Sequence, residues 1–218
     1  RIGRDTQGSR LRMRWILRVH GTEGRLKEYS LQALRIVSGD SAQQVFIIER
    51  PSELRGSTVL ILERRNAIAL DLWLGLAMTH KRVHVATCRQ FDFLLGSDFT
   101  YDDFRVWPAP PGAQGRAAMR CAGVPAGRLS LVPGAGLVSR SEDLKGGQVV
   151  RIVDFQNRLP FQGEHVPRRI EARRPGEGFR SEMELTDLGD EEDVQPSSLA
   201  PDRLEALGEL TPFERPLP

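Results

Sequence analysis

The stretch RLRMRWILRVH, residues 10–20, decides how this chain is folded. Apolar side chains occupy every second position of it: Leu11, Met13, Trp15, Leu17 and Val19. Arginines and a histidine fill most of the positions between them, and Ile16 is the single exception. A period of two is typical of a β-strand with one buried face and one solvated face. The sequence therefore predicts a strand that covers an apolar core with one side only.

Further strand patterns follow, separated by Gly- and Pro-containing turns. They fall at residues 26–37, 43–50, 58–62, 67–74, 81–87, 149–155, 168–174 and 179–188. Only short strands are expected in residues 119–147, where Gly and Pro recur. Strands of this length with turn signals about every ten residues are typical of barrels and sandwiches. We expect a mainly β protein of eight to ten antiparallel strands with few helices.

Three local features refine this prediction. A turn is expected at residues 157–160, which read NRLP. The charged strand at residues 168–174 follows Pro167 and is expected at a sheet edge, where charge and proline are tolerated. Short helices are expected within residues 97–104, where acidic residues suit a helix start, and at residues 198–207.

The length of the chain is that of a single domain, and its charge is unevenly distributed. We expect a single domain over residues 1–210 and a C-terminal tail over residues 211–218 of the 218-residue chain. The net charge of +2 hides a basic start and an acidic stretch at residues 182–193. Such asymmetry can steer a partner or an anionic surface, or it can reflect two solvated strand faces that attract each other.

Residues that would carry catalysis are not arranged to do so. His80 and His84 have the spacing of two metal ligands on a helix, but they lie at the start of a predicted strand and lack the catalytic Glu of that motif. No nucleophile elbow and no phosphate-binding glycine loop follows a strand. Aromatic residues, 6% of the chain, do not interleave with the arginines as a nucleic-acid platform requires. We expect no enzyme, no cofactor, no metal and no nucleic-acid partner.

The two cysteines and the first residue bear on the compartment. Cys88 and Cys121 can pair in an oxidising compartment, although two buried free thiols are the commoner state of such a pair. The chain opens on Arg1, which suits a processed chain whose export signal has been removed. The sequence has no run of about 18 apolar residues, so it predicts no transmembrane segment.

The apolar strand faces need a cover. With few amphipathic helices available, a curved sheet can leave part of its concave face open to an acyl chain, or a filled sandwich core can bury it. Strand parity gives the residues that would line such a cavity: Met13, Trp15, Leu17, Val45, Ile47, Val59, Ile61 and Trp73. A register error of one residue would move any of them to the opposite face.

One segment resembles a known family. Residues 93–104, FLLGSDFTYDDF, are similar to the pattern F-[ML]-G-S-D-F-[ST]-Y-[ED]-D-[LF] of the outer-membrane lipoprotein-sorting proteins, which share the fold of the lipoprotein carriers LolA and LolB. Weaker similarities follow the same order along the chain, at residues 50–60, 73–83, 159–160 and 182–188. Two departures are the missing leading helix before the first strand and the Gly/Pro-rich loop at residues 119–147.

The resemblance implies an unclosed, strongly curved half-barrel with short helices over its mouth. It also implies a non-enzymatic protein of the Gram-negative periplasm that binds lipid or lipoprotein acyl chains and contributes to outer-membrane sorting, in some members beside a transporter of the resistance-nodulation-division type. The motif would form a structural latch or a ligand gate made of Gly96, Ser97, Asp98, Phe99, Tyr101, Asp103 and Phe104. In it, Gly96 would allow the tight turn, Ser97 and Asp98 would cap the short helix, and the three aromatic residues would be plugs against the sheet. The alternative is an envelope protein-interaction or sensor module with the same fold and a filled core.

Overall fold

A computed structural model describes residues 8–21, 24–107, 126–131 and 137–209. Its strands are β1 (Arg10–His20), β2 (Leu26–Ser38), β3 (Ser41–Arg50), β4 (Thr58–Arg64), β5 (Asp71–Leu76), β6 (Lys81–Val85), β7 (Ala126–Leu131), β8 (Val138–Lys145), β9 (Gln148–Phe161), β10 (Glu164–Arg173) and β11 (Arg180–Asp190). One α-helix, α1 (Leu204–Gly208), and several 3-10 turns complete the described part of the chain. The mainly β prediction is confirmed.

All eleven strands belong to one antiparallel sheet in the order β6-β5-β4-β3-β2-β1-β11-β10-β9-β8-β7. The first and last strands are therefore neighbours near its middle. β1 pairs with β11 over its whole length, from Leu11 opposite Asp190 to His20 opposite Arg180. Two halves, β2–β6 and β7–β10, are joined along this seam.

The basic residues near the start of the chain and the acidic residues near its end meet at the seam between β1 and β11. Arg12 lies 3.9 Å from the carboxylate of Asp187, and Arg18 bonds both Glu28 and Glu184 at 3.0 Å. Neighbouring carboxylates raise the pKa of Arg18 by accepting its hydrogen bonds. The basic first strand and the acidic last strand thus attract each other, which is the second of the two alternatives drawn from the sequence.

Two local predictions are wrong. Residues 157–160 do not turn, because β9 continues to Phe161 and the turn falls at Gln162 and Gly163, both with positive φ. The strand at residues 168–174 is not at an edge, since β10 lies between β9 and β11. Its charges are tolerated there because they meet opposite charges across the strands, as Arg173 does with Asp154 at 2.9 Å.

Apolar residues form two clusters on the two faces of the sheet. One, which we call the inner face, includes alternate residues of β1 together with side chains from eight other strands and from residues 94–104. The other, the outer face, joins Leu34, Ile36, Val45, Ile47 and Leu60 to the C-terminal residues Leu199, Leu204 and Leu207. The sheet is thus covered on both sides over β2–β4.

Contacts across the inner face require a strongly curved sheet. β4 and β9 are six strands apart, which in a flat sheet would be about 29 Å at about 4.8 Å per strand. Yet Asp103 bonds Arg151 of β9, while Arg105, two residues later, bonds Glu63 of β4. Curvature brings both strands within reach of one short segment. The fold is the expected unclosed half-barrel.

Cys88 is disulfide-bonded, which is the first of the two alternatives that the sequence left open. The other cysteine of the sequence, Cys121, lies outside the described residues, as does the predicted tail at residues 211–218.

Candidate functional site

The eight residues expected to line one cavity lie on two faces. Five of them belong to the inner-face cluster: Met13, Trp15, Leu17, Val59 and Ile61. The other three, Val45, Ile47 and Trp73, belong to the outer-face cluster. The register explains the split, because Val45 pairs with Leu34 and Leu60, and paired residues project to the same face.

The wrong parity on β3 has a physical cause. Residues 44–48 are buried without interruption, since the inner cluster covers one side of β3 and the C-terminal residues cover the other. A strand buried on both faces shows no alternation of apolar and polar residues. Parity therefore cannot be read from the sequence of this strand, and the prediction for it is shifted by one residue.

The inner-face candidates are fully packed. Their exposed fractions lie between 0 and 6% of the side chain's maximum. Residues 93–106, which we call the covering segment, lie over this face and add Leu94, Phe99 and Phe104 to the same cluster. The ring of Phe104 lies 5.0 Å from that of Phe46, in an edge-to-face arrangement. The inner face is therefore occupied by the protein's own side chains.

The covering segment begins with a tight turn. Leu95 and Gly96 both have positive φ, 52° and 70°, a conformation that glycine adopts without strain. The amide of Leu94 donates to the carbonyl of Phe99 at 2.7 Å and closes the turn. Tyr29 of β2 donates its hydroxyl proton to the carbonyl of Leu95 at 3.2 Å, and burial raises the pKa of this tyrosine. The turn expected at Gly96 is present.

Asp98 ties the covering segment to β11 and to the turn before it. Its carboxylate accepts hydrogen bonds from Ser181 Oγ at 2.8 Å and from Arg174 Nε at 2.7 Å, while its amide donates to Ser181 Oγ. The capping role expected of Asp98 is wrong, because the carboxylate is used for these tertiary bonds. Ser97 makes a local bond only, accepting the amide proton of Phe99.

A short 3-10 turn, Tyr101–Phe104, follows and is capped by Thr100 and Asp103. The amide of Thr100 donates to Asp103 Oδ2 at 2.7 Å. Arg151 of β9 holds the same carboxylate with two bonds, at 2.6 and 3.2 Å, and also bonds Asp143 at 2.7 Å. Burial disfavours a charged guanidinium, but these two carboxylates outweigh it and raise the pKa of Arg151. The anchor is buried and charged.

The far end of the covering segment is tied to β4 by Arg105. Its Nε donates to Asp102 at 2.7 Å and its Nη1 to Glu63 at 3.4 Å. Glu63 also accepts the amide proton of Val106 at 2.8 Å. Burial raises the pKa of Glu63, although the Val106 amide and Arg105 act in the opposite direction. Gln90 supports the network by donating to Asp102 at 3.1 Å.

Of the seven motif residues, Phe99 and Phe104 are buried plugs, and Tyr101 packs at the edge of the cluster. Sequence reasoning missed Arg151, Arg105 and Glu63, which hold the segment in place. A charged residue between apolar residues of a predicted strand, as at Arg151, is the signal that could have found one of them, since charge on a buried strand face needs a partner. Glu63 gave no such signal, because the strand was predicted to end at Leu62, whereas β4 continues to Arg64.

Other kinds of site have no support in the described residues. They contain no cluster of His, Cys, Asp and Glu that could hold a metal ion. Among the same residues no helix is long and apolar enough to cross a membrane.

Solved structures share this architecture. An outer membrane lipoprotein-sorting protein domain from Vibrio parahaemolyticus superposes with a TM-score of 0.75 over 90% of this chain and 92% of that one, at 13% identity. A LolA superfamily protein from Nitrosomonas europaea gives 0.55 over 89% and 91%, also at 13% identity.

The chain has a LolA-like fold. A DUF1329 family protein from Desulfovibrio piger shares it with a TM-score of 0.73, at 12% identity over 91% of this chain and 92% of that one. No family model and no curated protein matches the sequence. Since identity is this low, the LolA-like fold is what these likenesses establish.

Proposed function

We propose that the protein is a non-catalytic carrier or accessory protein of the bacterial periplasm, which binds an acyl chain of a lipid or lipoprotein on the inner face. The observation that carries the proposal is how that face is covered. Among the described residues a short segment covers it, rather than a second sheet, and buried ion pairs hold that segment. The LolA-like fold, which the chain shares with the lipoprotein-sorting protein domain from Vibrio, supports the sorting role.

The free energy gained by burying an acyl chain on the inner face is comparable with the free energy lost by removing the covering segment from it. An acyl chain with about fifteen buried methylenes gains about 12 kcal/mol at about 0.8 kcal/mol each. Removing Leu94, Phe99 and Phe104 from the inner face costs about 5–9 kcal/mol at about 1.5–3 kcal/mol per side chain. The surplus of a few kcal/mol opposes the loss of the anchoring ion pairs. Exchange is therefore close to balanced, and we place the acyl chain where the side chains of the covering segment lie, rather than in a permanent cavity.

A fatty-acid binding assay tests this directly. Phe99→Ala removes a plug and is expected to lower the free energy of unfolding by about 3–5 kcal/mol. Oleate below its micelle concentration would fill the space and restore about 2–3 kcal/mol at about a hundredfold excess over Kd. The measurement is urea unfolding with and without oleate, beside uptake of a fluorescent fatty acid.

Leu204→Ala is the matched control, because Leu204 is equally buried but belongs to the outer face. It should be destabilised to a similar extent, but oleate should restore less stability to it than to Phe99→Ala, because its inner face still carries all of its own plugs. If neither the unaltered protein nor Phe99→Ala takes up fatty acid, and native mass spectrometry of protein from bacterial envelopes shows only the apo mass, the carrier proposal fails. The packed inner face would then suit a protein-interaction or sensor module with the same fold.

The transporter partner of the resistance-nodulation-division type stays a proposal. So does the assignment of residues 1–210 to one domain.

A further inference from the structure

Three connections lie side by side at one end of the sheet. They link β1 to β2, β3 to β4 and β5 to β6, and these six strands are consecutive neighbours. The amide of Ala77 donates to Ser57 Oγ at 3.4 Å, so the second and third connections are in contact. We call residues 24–27, 50–56 and 76–82 the loop rim.

Large apolar side chains of the loop rim are exposed. Met78 is 79% exposed at the tip of the third connection, Leu26 is 56% exposed and Leu76 is 40% exposed. Val83, next to the loop rim on β6, is 39% exposed. An exposed apolar side chain contributes no hydrophobic stabilisation to the folded protein. Exposed apolar residues that lie close together are typical of surfaces that bind a protein, a ligand or a membrane.

Four cations of the loop rim have no acidic partner among the described residues. Lys27, Arg50, Arg55 and Lys81 are exposed, and within the described part of the chain none of them makes an ion pair or a side-chain hydrogen bond. Arginines of β1 differ, since Arg18 for example bonds two carboxylates. Four unpaired cations thus lie on the same three connections.

The nearby acidic groups offset only part of this charge. Glu53 lies within the loop rim and offsets one cation, since its hydrogen bond from Ser52 Oγ at 3.3 Å leaves the carboxylate charged. Glu205 of α1, whose carboxylate lies 2.6 Å from the His80 ring, offsets another, whereas Glu28 is engaged by Arg18. An excess of positive charge remains. Lysines on an edge strand can serve simply to prevent strand pairing, which would account for Lys81. It would not account for Arg50 and Arg55, which flank a turn away from the edge.

We propose that the loop rim docks the protein on a bilayer surface rich in anionic phospholipid, with Met78 inserted among the headgroups. Exposed apolar tips beside clustered Lys and Arg are the combination that binds such surfaces, through apolar burial and attraction to anionic lipid together. The inference deepens the proposed function and rests on it, because docking at this end brings the covering segment's first residue near a source of acyl chains. That residue, the 46% exposed Phe93, has its ring 5.4 Å from the guanidinium of Arg174, in the turn that precedes β11 at the same end of the sheet.

Vesicle flotation with the whole chain tests the docking. The protein should bind mixed phosphatidylglycerol–phosphatidylcholine vesicles, and bind pure phosphatidylcholine vesicles far more weakly. The triple variant Lys27→Gln, Arg55→Gln, Lys81→Gln should bind the mixed vesicles about 100-fold more weakly, at about a factor of five per cation. Met78→Ser should lose about fivefold on the same vesicles, from lost apolar burial.

Matched controls carry the same changes elsewhere. Arg64→Gln, Arg65→Gln, Arg168→Gln alters the charge equally outside the loop rim, and Leu159→Ser replaces another exposed apolar residue. Both should bind as the unaltered protein does. Equal binding to neutral vesicles, no loss in the loop-rim triple variant, or an equal loss in the control triple variant would overturn the docking.

Fatty-acid uptake without vesicles separates the two proposals. If the loop-rim triple variant retains uptake and loses vesicle binding, the docking is supported. If the unaltered protein takes up fatty acid but binds no vesicles, the docking alone fails. If it binds anionic vesicles through the loop rim but takes up no fatty acid, the proposed function fails and the docking stands.

Discussion

The two faces of the sheet are covered in different ways. On the inner face, buried arginines anchor the covering segment, and the side chains of Arg151 and Arg105 are only 5 and 6% exposed. On the outer face, Leu199, Leu204 and Leu207 pack directly against β2–β4. The contact that α1 makes with the loop rim, between the Glu205 carboxylate and the His80 ring, is exposed.

Buried ion pairs and apolar packing contribute differently to holding a cover on the sheet. A buried ion pair contributes little net stability compared with apolar packing, because desolvation offsets the attraction, but removing one partner is costly. The ion pairs therefore fix where the inner cover lies, while Leu94, Phe99 and Phe104 supply its apolar burial. The outer cover is held by apolar burial without a buried ion pair among the described contacts. The inner cover is the one that the proposed acyl chain would displace.

The largest expected effect comes from breaking the inner anchor. Arg151→Gln removes the cation that faces Asp103 and should lower the free energy of unfolding by about 3–5 kcal/mol. Hydrogen exchange should also rise in residues 98–105 more than in α1, because the lost bonds are those of the covering segment. Urea unfolding and exchange mass spectrometry measure the two quantities.

Arg140→Gln is the control for this change. Arg140 also lies on a neighbouring strand and bonds Asp154 at 2.6 Å, but it is 43% exposed, so its loss should cost less than about 1 kcal/mol. If Arg151→Gln raised hydrogen exchange in α1 more than in the covering segment, relative to the unaltered protein, the assignment of separate covers would be contradicted.

A smaller effect is expected from the outer cover. Gly208 of α1 approaches Gly56 so closely that a Cβ on it would meet the Gly56 carbonyl oxygen at 2.1 Å. Gly208→Ala should therefore cost about 1–3 kcal/mol through displacement of α1. Exchange should rise in residues 199–208 and leave the covering segment unchanged.

Gly21→Ala provides the comparison, since its added Cβ would meet nothing closer than 3.6 Å. Thermal unfolding of the two variants gives the difference. A Gly208→Ala protein as stable as Gly21→Ala would show that the outer cover does not depend on this contact.

The smallest expected effect is a pH dependence under the inner cover. The pKa of Glu63 is raised above 4.5 by burial, so the folded protein binds this proton more tightly than the unfolded chain does. Its contribution to stability is complete below pH 4.5 and is lost as the pH rises through the raised pKa. The free energy of unfolding of Glu63→Gln, relative to the unaltered protein, should thus increase from below pH 4.5 to neutral pH.

Urea unfolding at a series of pH values checks this, with Glu205→Gln as the control for loss of a carboxylate on the outer cover. A relative stability of Glu63→Gln that decreases with rising pH would reverse the sign and refute the role of burial at this site.

The fold was predictable where one face of a strand is solvated. β1 and β11 alternate clearly because their outer sides carry charges that meet each other at the seam, and both were identified within two residues. β3 could not be oriented in this way. Its outer side is buried by Leu199 and Leu204, which lie about 150 residues later in the chain. A local pattern cannot anticipate such a distant cover.

The site was predictable in its turn but not in its anchors. Gly96 has the positive φ that its motif position indicates, and Phe99 and Phe104 are buried as expected. Asp98 looked like a helix cap because capping needs only neighbouring residues. Its actual partners, Ser181 and Arg174, are supplied by the far half of the sheet. Ion pairs between residues far apart in the chain produce no periodic pattern in the sequence.

The seam between β1 and β11 has a consequence for how the protein is made. Of these eleven strands, a ribosome delivers β1 first and its partner last, so the emerging chain holds an apolar strand with an unsatisfied edge until the rest of the sheet has been synthesised. Pairing then closes a loop of about 170 residues, a slow step in folding. Chains that end before Arg180 would leave that edge of β1 unpaired, and we expect them to aggregate through it.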